Sequence, residues 1–325
     1  MELIENLKKA DPKAIARILT IVENESEEAK EFIEKISPFV GKSYVIGFTG
    51  PLGSGKSTLI EGVSLKLAER GYTIGILAID PSSPFSGGAF LGDRIRMQKI
   101  NLRDEIFIRS ISTRGIQGGL SPTIGNMIRV MDAAGKDFVI IETVGTGQDE
   151  VDVAKMVDTC IIVTMPGLGD EIQVIKAGLI EIGDIFVVNK ADQLGADMMV
   201  SYFRSVLEGS PNRNGWIPPV VETVAVKEQG IDRLVDILLS HKEFLEKKGL
   251  LSLKRRQRLQ LEILNIIKSK LIFLIEQQLL SSKDFEAYLD KAISRKQNPY
   301  QCAEKLLSLL IKMLLQEEDN EGKKD

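Results

Sequence analysis

The chain has 325 residues, 43% of them hydrophobic and 27% charged, with a net charge of −4. That composition excludes intrinsic disorder, collagen and a disulfide scaffold, and a mildly acidic chain argues against sequence-independent binding to nucleic acid, which needs a basic surface. One histidine, His241, and two distant cysteines, Cys160 and Cys302, cannot build a His- or Cys-rich metal site, so a bound metal takes oxygen ligands, which points to magnesium.

At roughly 150 residues per domain the length allows about two domains. The first forty residues read as helical: Asp11-Pro12 is a cap followed by a first-turn proline, and Ile15, Ile18, Leu19 and Val22 follow at helical spacing. Ser26 begins a second helix with early acids. The segment lacks the apolar core of a signal peptide. No run reaches the ~18 apolar residues that span a bilayer, and two lone cysteines suit a reducing compartment. A cytoplasmic protein without a membrane partner is expected.

From about residue 43 short apolar runs alternate with helical stretches: SYVIGFTG, TIGILAID, IFIRSI, FVIIET, TCIIVTM, DIFVVNK and PPVVETV. Nearly continuous apolar strands separated by helices predict an α/β fold with a mostly parallel central sheet flanked by helices. The expected organisation is an N-terminal helical extension (1–40), a phosphate-loop domain (41–245), a C-terminal helical region (246–318) and a disordered tail (319–325). Leu306, Leu307, Leu309, Leu310, Ile311, Met313, Leu314 and Leu315 cover more than one helix face. Such a helix needs burial on several sides, which predicts a homodimer interface in the C-terminal region. The plainer alternative is packing within one chain.

Gly50 to Thr58, GPLGSGKST, matches G-x-x-x-x-G-K-[ST], with a predicted strand before it and a helix after it. Gly50, Gly53 and Gly55 permit torsions that side chains would block. Pro51, Leu52 and Ser54 complete a loop that can turn its amides around an anion at a helix N-terminus. Lys56 reaches the β- and γ-phosphates, Ser57 can ligate Mg²⁺, and Thr58 lies near the α-phosphate. Asn189-Lys190-Ala191-Asp192 follows a later apolar run and has the N-K-x-D pattern of guanine readers. The Asp192 carboxylate can accept from guanine N1–H and its exocyclic amine, a donor pair adenine lacks. Lys190 can cover the base, and Asn189 can pin neighbouring loops. Together the two motifs predict a GTP-binding protein.

Asp80, Asp93 and Glu142 stand where Mg²⁺ ligands or their supporting groups are expected. Gly145 can lie against the γ-phosphate and sense GTP against GDP. Gln148 can orient the attacking water. The loop over 165–178, with Gln173 and Lys176 on one helix face, reads as a further nucleotide-sensitive segment. The plainer alternatives are strand-end charges and a solvated helix start.

These stretches, with AIDPSSPFSGGAFLGDRIRM, IIETVGTGQDE and GDEIQVIKAGLIEIGDIFVVNKAD, resemble the MeaB/ArgK/MMAA family of GTPases over about residues 10–245. The resemblance implies a GTPase that uses GTP/GDP and Mg²⁺, usually dimeric through its C-terminal part. It further implies a chaperone for an adenosylcobalamin-dependent acyl-CoA mutase, chiefly methylmalonyl-CoA mutase. By position it implies Lys56, Ser57 and Thr58 as nucleotide and metal ligands. Asp80, Asp93 and Glu142 become magnesium-site carboxylates, Asp192 the guanine reader, and the loops around Asp93, 143–150 and 166–176 switches. Thr223-Val224-Ala225 replaces the family's usual Thr-Ser-Ala, leaving backbone contacts to guanine from Val224, Ala225 and Val226 without a serine hydroxyl. Asp149 stands where GQSE is more usual. A protein kinase acting on a transport-system binding protein is the alternative, and no acceptor site or base for one is marked in the sequence. A nickel or zinc chaperone lacks its His and Cys clusters.

Overall fold

The computed structural model describes residues 2–24, 26–80, 97, 100, 103–112, 122–143, 154–167, 177–208, 214–280 and 282–321. Seven parallel strands form one sheet in the order β3-β2-β4-β1-β5-β6-β7. They are β1 (Tyr44–Thr49), β2 (Ile74–Asp80), β3 (Ile106–Ser112), β4 (Phe138–Glu142), β5 (Thr159–Thr164), β6 (Ile185–Asn189) and β7 (Val220–Thr223). All seven apolar runs become strands. Their near-continuous hydrophobicity follows from burial on both faces.

Successive side chains alternate between two cores. Val45, Val139 and Ile141 enter one, while Tyr44, Ile46, Phe48, Phe138 and Ile140 enter the other. The first core is covered by α1 (Glu2–Lys8), α2 (Pro12–Glu23), α3 (Glu27–Ile36), α5 (Pro122–Ala133), α6 (Ala177–Ile182) and α7 (Ala196–Glu208). The second is covered by α4 (Lys56–Glu69) and α8 (Ile231–Lys247). Asp11 caps α2 as expected, accepting from the amides of Lys13 and Ala14. Leu7, Ile15, Ile18, Leu19 and Ile36 are fully buried, so the N-terminal helices belong to the sheet's own compact unit.

That unit runs through Arg258, and a second one comprises Leu259–Asp325. Helix α8 crosses the expected boundary at 245/246 and ends at Lys247. The next helix, α9 (Leu250–Leu274), begins within the first unit because its basic residues reach back to the foot of the sheet. Lys254 Nζ donates to the Asp158 carbonyl (3.0 Å) and pairs with Asp184 (3.2 Å). Arg255 donates to the carbonyls of Gly41 (2.6 Å) and Ser43 (2.7 Å) and pairs with Asp158 (3.1 Å).

In the second unit, α9 continues through a π-helical turn, Ile275–Leu279, followed by α10 (Lys283–Ile293) and α11 (Pro299–Glu321). Leu279, Cys302, Leu306 and Leu310 are buried, while Leu261, Ile263, Leu264, Ile267, Leu271, Ile272, Phe273, Leu307 and Ile311 are exposed in the single chain. Helix α11 continues to Glu321, three residues into the segment expected to be disordered, since neither glycine nor proline interrupts it before Gly322. No helix among the described residues is long and apolar enough to cross a membrane.

Candidate functional site

Because every strand is parallel, the ends of β1, β2, β4, β5 and β6 share one edge of the sheet, where open α/β folds bind their ligands. The loop 50–55 leaves β1 at that edge and enters α4 at Lys56. Gly50 has φ 136° and Gly55 has φ 90°. A Cβ at Gly50 would lie 1.9 Å from the Val163 carbonyl oxygen, and one at Gly55 would lie 2.3 Å from Asn189 Nδ2. Both positions therefore require glycine for torsion and for space. The Lys56 ammonium is buried and donates to the carbonyls of Gly50 (2.8 Å) and Pro51 (3.1 Å), folding back over its own loop. The Ser54 hydroxyl is buried with no hydrogen-bond partner among the described residues, whereas the Leu52 side chain is exposed. Thr58 occupies the first turn of α4 and is partly buried.

Ser57 Oγ donates to Glu142 Oε1 at 2.6 Å, joining the start of α4 to the end of β4. Next to it Thr143 donates its amide to the Phe48 carbonyl (3.1 Å) and shares a hydroxyl contact with Thr49 (3.1 Å). Asp80 ends β2, two residues beyond Ala78, which is in register with Glu142. The strand order thus brings Asp80's backbone to the same edge. Asp93, Gly145, Gln148, Asp149, Gln173 and Lys176 lie outside the described residues. So do most of the expected switch loops.

Asn189 ends β6 and is buried. Its Nδ2 donates to the Ser54 carbonyl in the phosphate loop (2.8 Å). Its Oδ1 accepts from Thr223 Oγ1 (3.0 Å) and the Ala225 amide (3.1 Å). One amide side chain therefore ties the 189–192 motif to two other segments, the 50–55 loop and the end of β7 with the loop after it. Lys190 adopts φ 55°, the left-handed region, which turns the chain toward Asp192. The 3₁₀ turn Ala225–Lys227 follows Val224, whose backbone pairs with Gln229; Val226 points to solvent. The Lys227 ammonium beside Asp192, 2.8 Å from Oδ2, holds that carboxyl below the usual carboxylate range. Nothing in the sequence marks Lys227, a lone lysine two residues after Ala225 that belongs to no motif.

A model of the family described as methylmalonyl Co-A mutase-associated GTPase MeaB matches residues 15–279. The chain belongs to the MeaB family of GTPases. A Pyrococcus abyssi protein named as a GTPase is 47% identical to it over 315 residues, spanning 95% of this chain and 96% of that one. The GTPase ArgK of Escherichia coli is 32% identical over 295 residues, 88% of each chain. The crystal structure of LAO/AO transport system kinase superposes with a TM-score of 0.73 at 26% identity, covering 95% of this chain and 96% of that one. Membership in the MeaB family makes this chain a guanine-nucleotide-binding GTPase and does not favour the kinase alternative.

The chain's one histidine, His241, packs at the start of β5, the opposite end of the strands from the nucleotide edge. His241 is buried, with Nδ1 2.8 Å from Thr159 Oγ1 at the start of β5. It borders a cavity of about 340 Å³ shared with Asp184, Trp216, Phe244 and Lys254. Burial also pushes the neighbouring Tyr44 hydroxyl well above the usual phenol range, so it stays protonated against Thr159.

Proposed function

We propose that this MeaB-family GTPase is a chaperone that couples GTP binding and hydrolysis to cofactor loading or protection of an adenosylcobalamin-dependent acyl-CoA mutase, with methylmalonyl-CoA mutase the first candidate. The observation that carries the nucleotide part is the Asn189 side chain, bonded at once to the phosphate loop and to the loop after β7. It supports a single site in which Gly50–Thr58 holds the phosphates and Asp192 reads the base. The mutase part is supported by the family's description.

In this reading the loop amides and the N-terminal end of α4 hold the phosphate chain. Lys56 leaves the carbonyls of Gly50 and Pro51 for the β- and γ-phosphates, where its charge offsets what develops on the transferring group. Ser57 and Glu142 already bring a hydroxyl and a carboxylate within 2.6 Å, a pair of hard oxygen donors suited to Mg²⁺. Asp80 and Asp93 complete the proposed donor set. A Mg²⁺ ion held by these oxygens would supply positive charge to offset that of the phosphate chain. Gly145 reports the γ-phosphate and Gln148 orients water. Val224, Ala225 and Val226 approach guanine through backbone, and Lys190 covers the base. The exposed apolar residues of α9 and α11 support a homodimer through the C-terminal unit, and the protein works in the cytoplasm.

Two measurements test this. Turnover of GTP should be slow with Mg²⁺ alone and rise when an adenosylcobalamin-dependent mutase is added. Turnover indifferent to every such mutase would remove the chaperone role and leave the GTPase. Separately, Asp192→Asn exchanges an acceptor for a donor. The preference for GTP over ATP should fall by at least about tenfold, and xanthine, with an acceptor oxygen at C2, should gain on guanine. An undiminished guanine preference would refute the base-reading role.

A further inference from the structure

We infer that Lys227 is an exchangeable counter-ion for the base-reading carboxylate: it occupies Asp192 before a base binds, yields to the guanine amine, and thereby tempers the preference for guanine over hypoxanthine. The inference rests on the reading of Asp192 proposed above. Lys227 Nζ lies 2.8 Å from Asp192 Oδ2. Guanine uses both oxygens of that carboxylate, one for N1–H and one for the exocyclic amine, and the ammonium is already bonded to one of them, so amine and ammonium compete for that oxygen's charge.

The two residues are brought together by backbone that does not depend on their pairing. Ala191 donates its amide to the Thr223 carbonyl at 3.0 Å, which sets the start of the Asp192 loop. The turn carrying Lys227 is closed by its amide bond to the Val224 carbonyl (2.9 Å) and by the Val224–Gln229 bridge. Gly230 ends the turn at φ 78°, where a Cβ would lie 2.2 Å from the Glu222 carbonyl oxygen. The backbone thus holds the turn, and the Lys227 side chain adds a charge on Asp192.

The pair is also placed for exchange. The side chains are 56% and 41% exposed, so water can take over the ammonium when a base arrives. An ion pair this open is weak, and guanine can displace it. Hypoxanthine has N1–H but no exocyclic amine. It needs one carboxylate oxygen and can share the carboxylate with Lys227. Displacement therefore burdens guanine and spares hypoxanthine.

Calorimetric titration of GDP and IDP into the full chain, comparing the parent with Lys227→Met, Lys227→Arg, Asp192→Asn and the Lys227→Met/Asp192→Asn double variant, tests this. Methionine keeps the stem and removes the charge. Lys227→Met should bind GDP about two- to five-fold more tightly, the fold-change expected for loss of a weak competing pair, with IDP nearly unchanged. Lys227→Arg should restore the parent values, and Lys227→Met should have no effect once Asp192 is Asn. Equal or weaker GDP binding by Lys227→Met, with guanine preference still lost in Asp192→Asn, would overturn the exchange and leave the base reading intact. Guanine preference retained in Asp192→Asn would overturn both.

Discussion

Lys56→Ala is expected to lower GTP turnover by roughly 10²–10³-fold, the range for removing one preorganised charge from the transition state of a transfer reaction. The buried ammonium donates to two carbonyls of its own loop, Gly50 at 2.8 Å and Pro51 at 3.1 Å. Those contacts keep the ammonium over its own loop, where it can exchange the two carbonyls for phosphate oxygens. The substitution leaves α4 with its remaining bonds, such as the Leu59 amide to the Gly55 carbonyl (3.0 Å). The fold should therefore survive with a loss of about 1–3 kcal/mol from the two charge-assisted bonds. Single-turnover hydrolysis separates the two effects from one another, and a circular dichroism melt checks the fold. Turnover within threefold of the parent would exclude Lys56 from the reaction.

The second large effect is far from the nucleotide edge. Asp158 precedes β5 and is fully buried. Its Oδ2 accepts from the Val45 amide (2.9 Å) and from Arg255 Nη2 (3.1 Å), and its Oδ1 lies 3.5 Å from Arg258 Nη1. Removing one partner of a buried ion pair costs about 3–5 kcal/mol because the remaining charge is left uncompensated. The two arginines keep some contact with water, at 22% and 24% exposure, so Asp158→Ala should sit near the lower end of that range, about 3 kcal/mol. Asp158→Asn keeps an acceptor for Val45 and should cost less. Urea unfolding of the full chain measures both. A loss under about 1 kcal/mol for Asp158→Ala would show that the arginines simply turn to solvent.

The mutations differ in how far the sequence alone could lead to them. Lys56 lies in nine consecutive residues whose types and spacing already describe their chemistry. Asp158 is one acid among 46 Asp and Glu, and nothing local marks it. Its partners are some hundred positions away, in a basic stretch that reads as the polar start of an otherwise apolar helix. The pairing also shows why the sheet's compact unit extends to Arg258: the helix cannot leave until its cations have met Asp158 and Asp184.

The sequence by itself determined the seven strands, the parallel sheet, the phosphate loop and the guanine-reader motif, because each is written in contiguous residues with a period or spacing of its own. Only the tertiary structure decided which distant groups meet. Asn189 reaches Ser54 across 135 residues, Arg255 reaches Gly41 across 214, and Lys227 closes on Asp192 across 35. Such contacts depend on strand order. With β1 between β4 and β5, and β6 and β7 beyond, segments remote in the chain emerge side by side at the nucleotide edge or at the foot of the sheet. Strand order is a compromise over all the buried faces at once, and no single stretch of sequence encodes it.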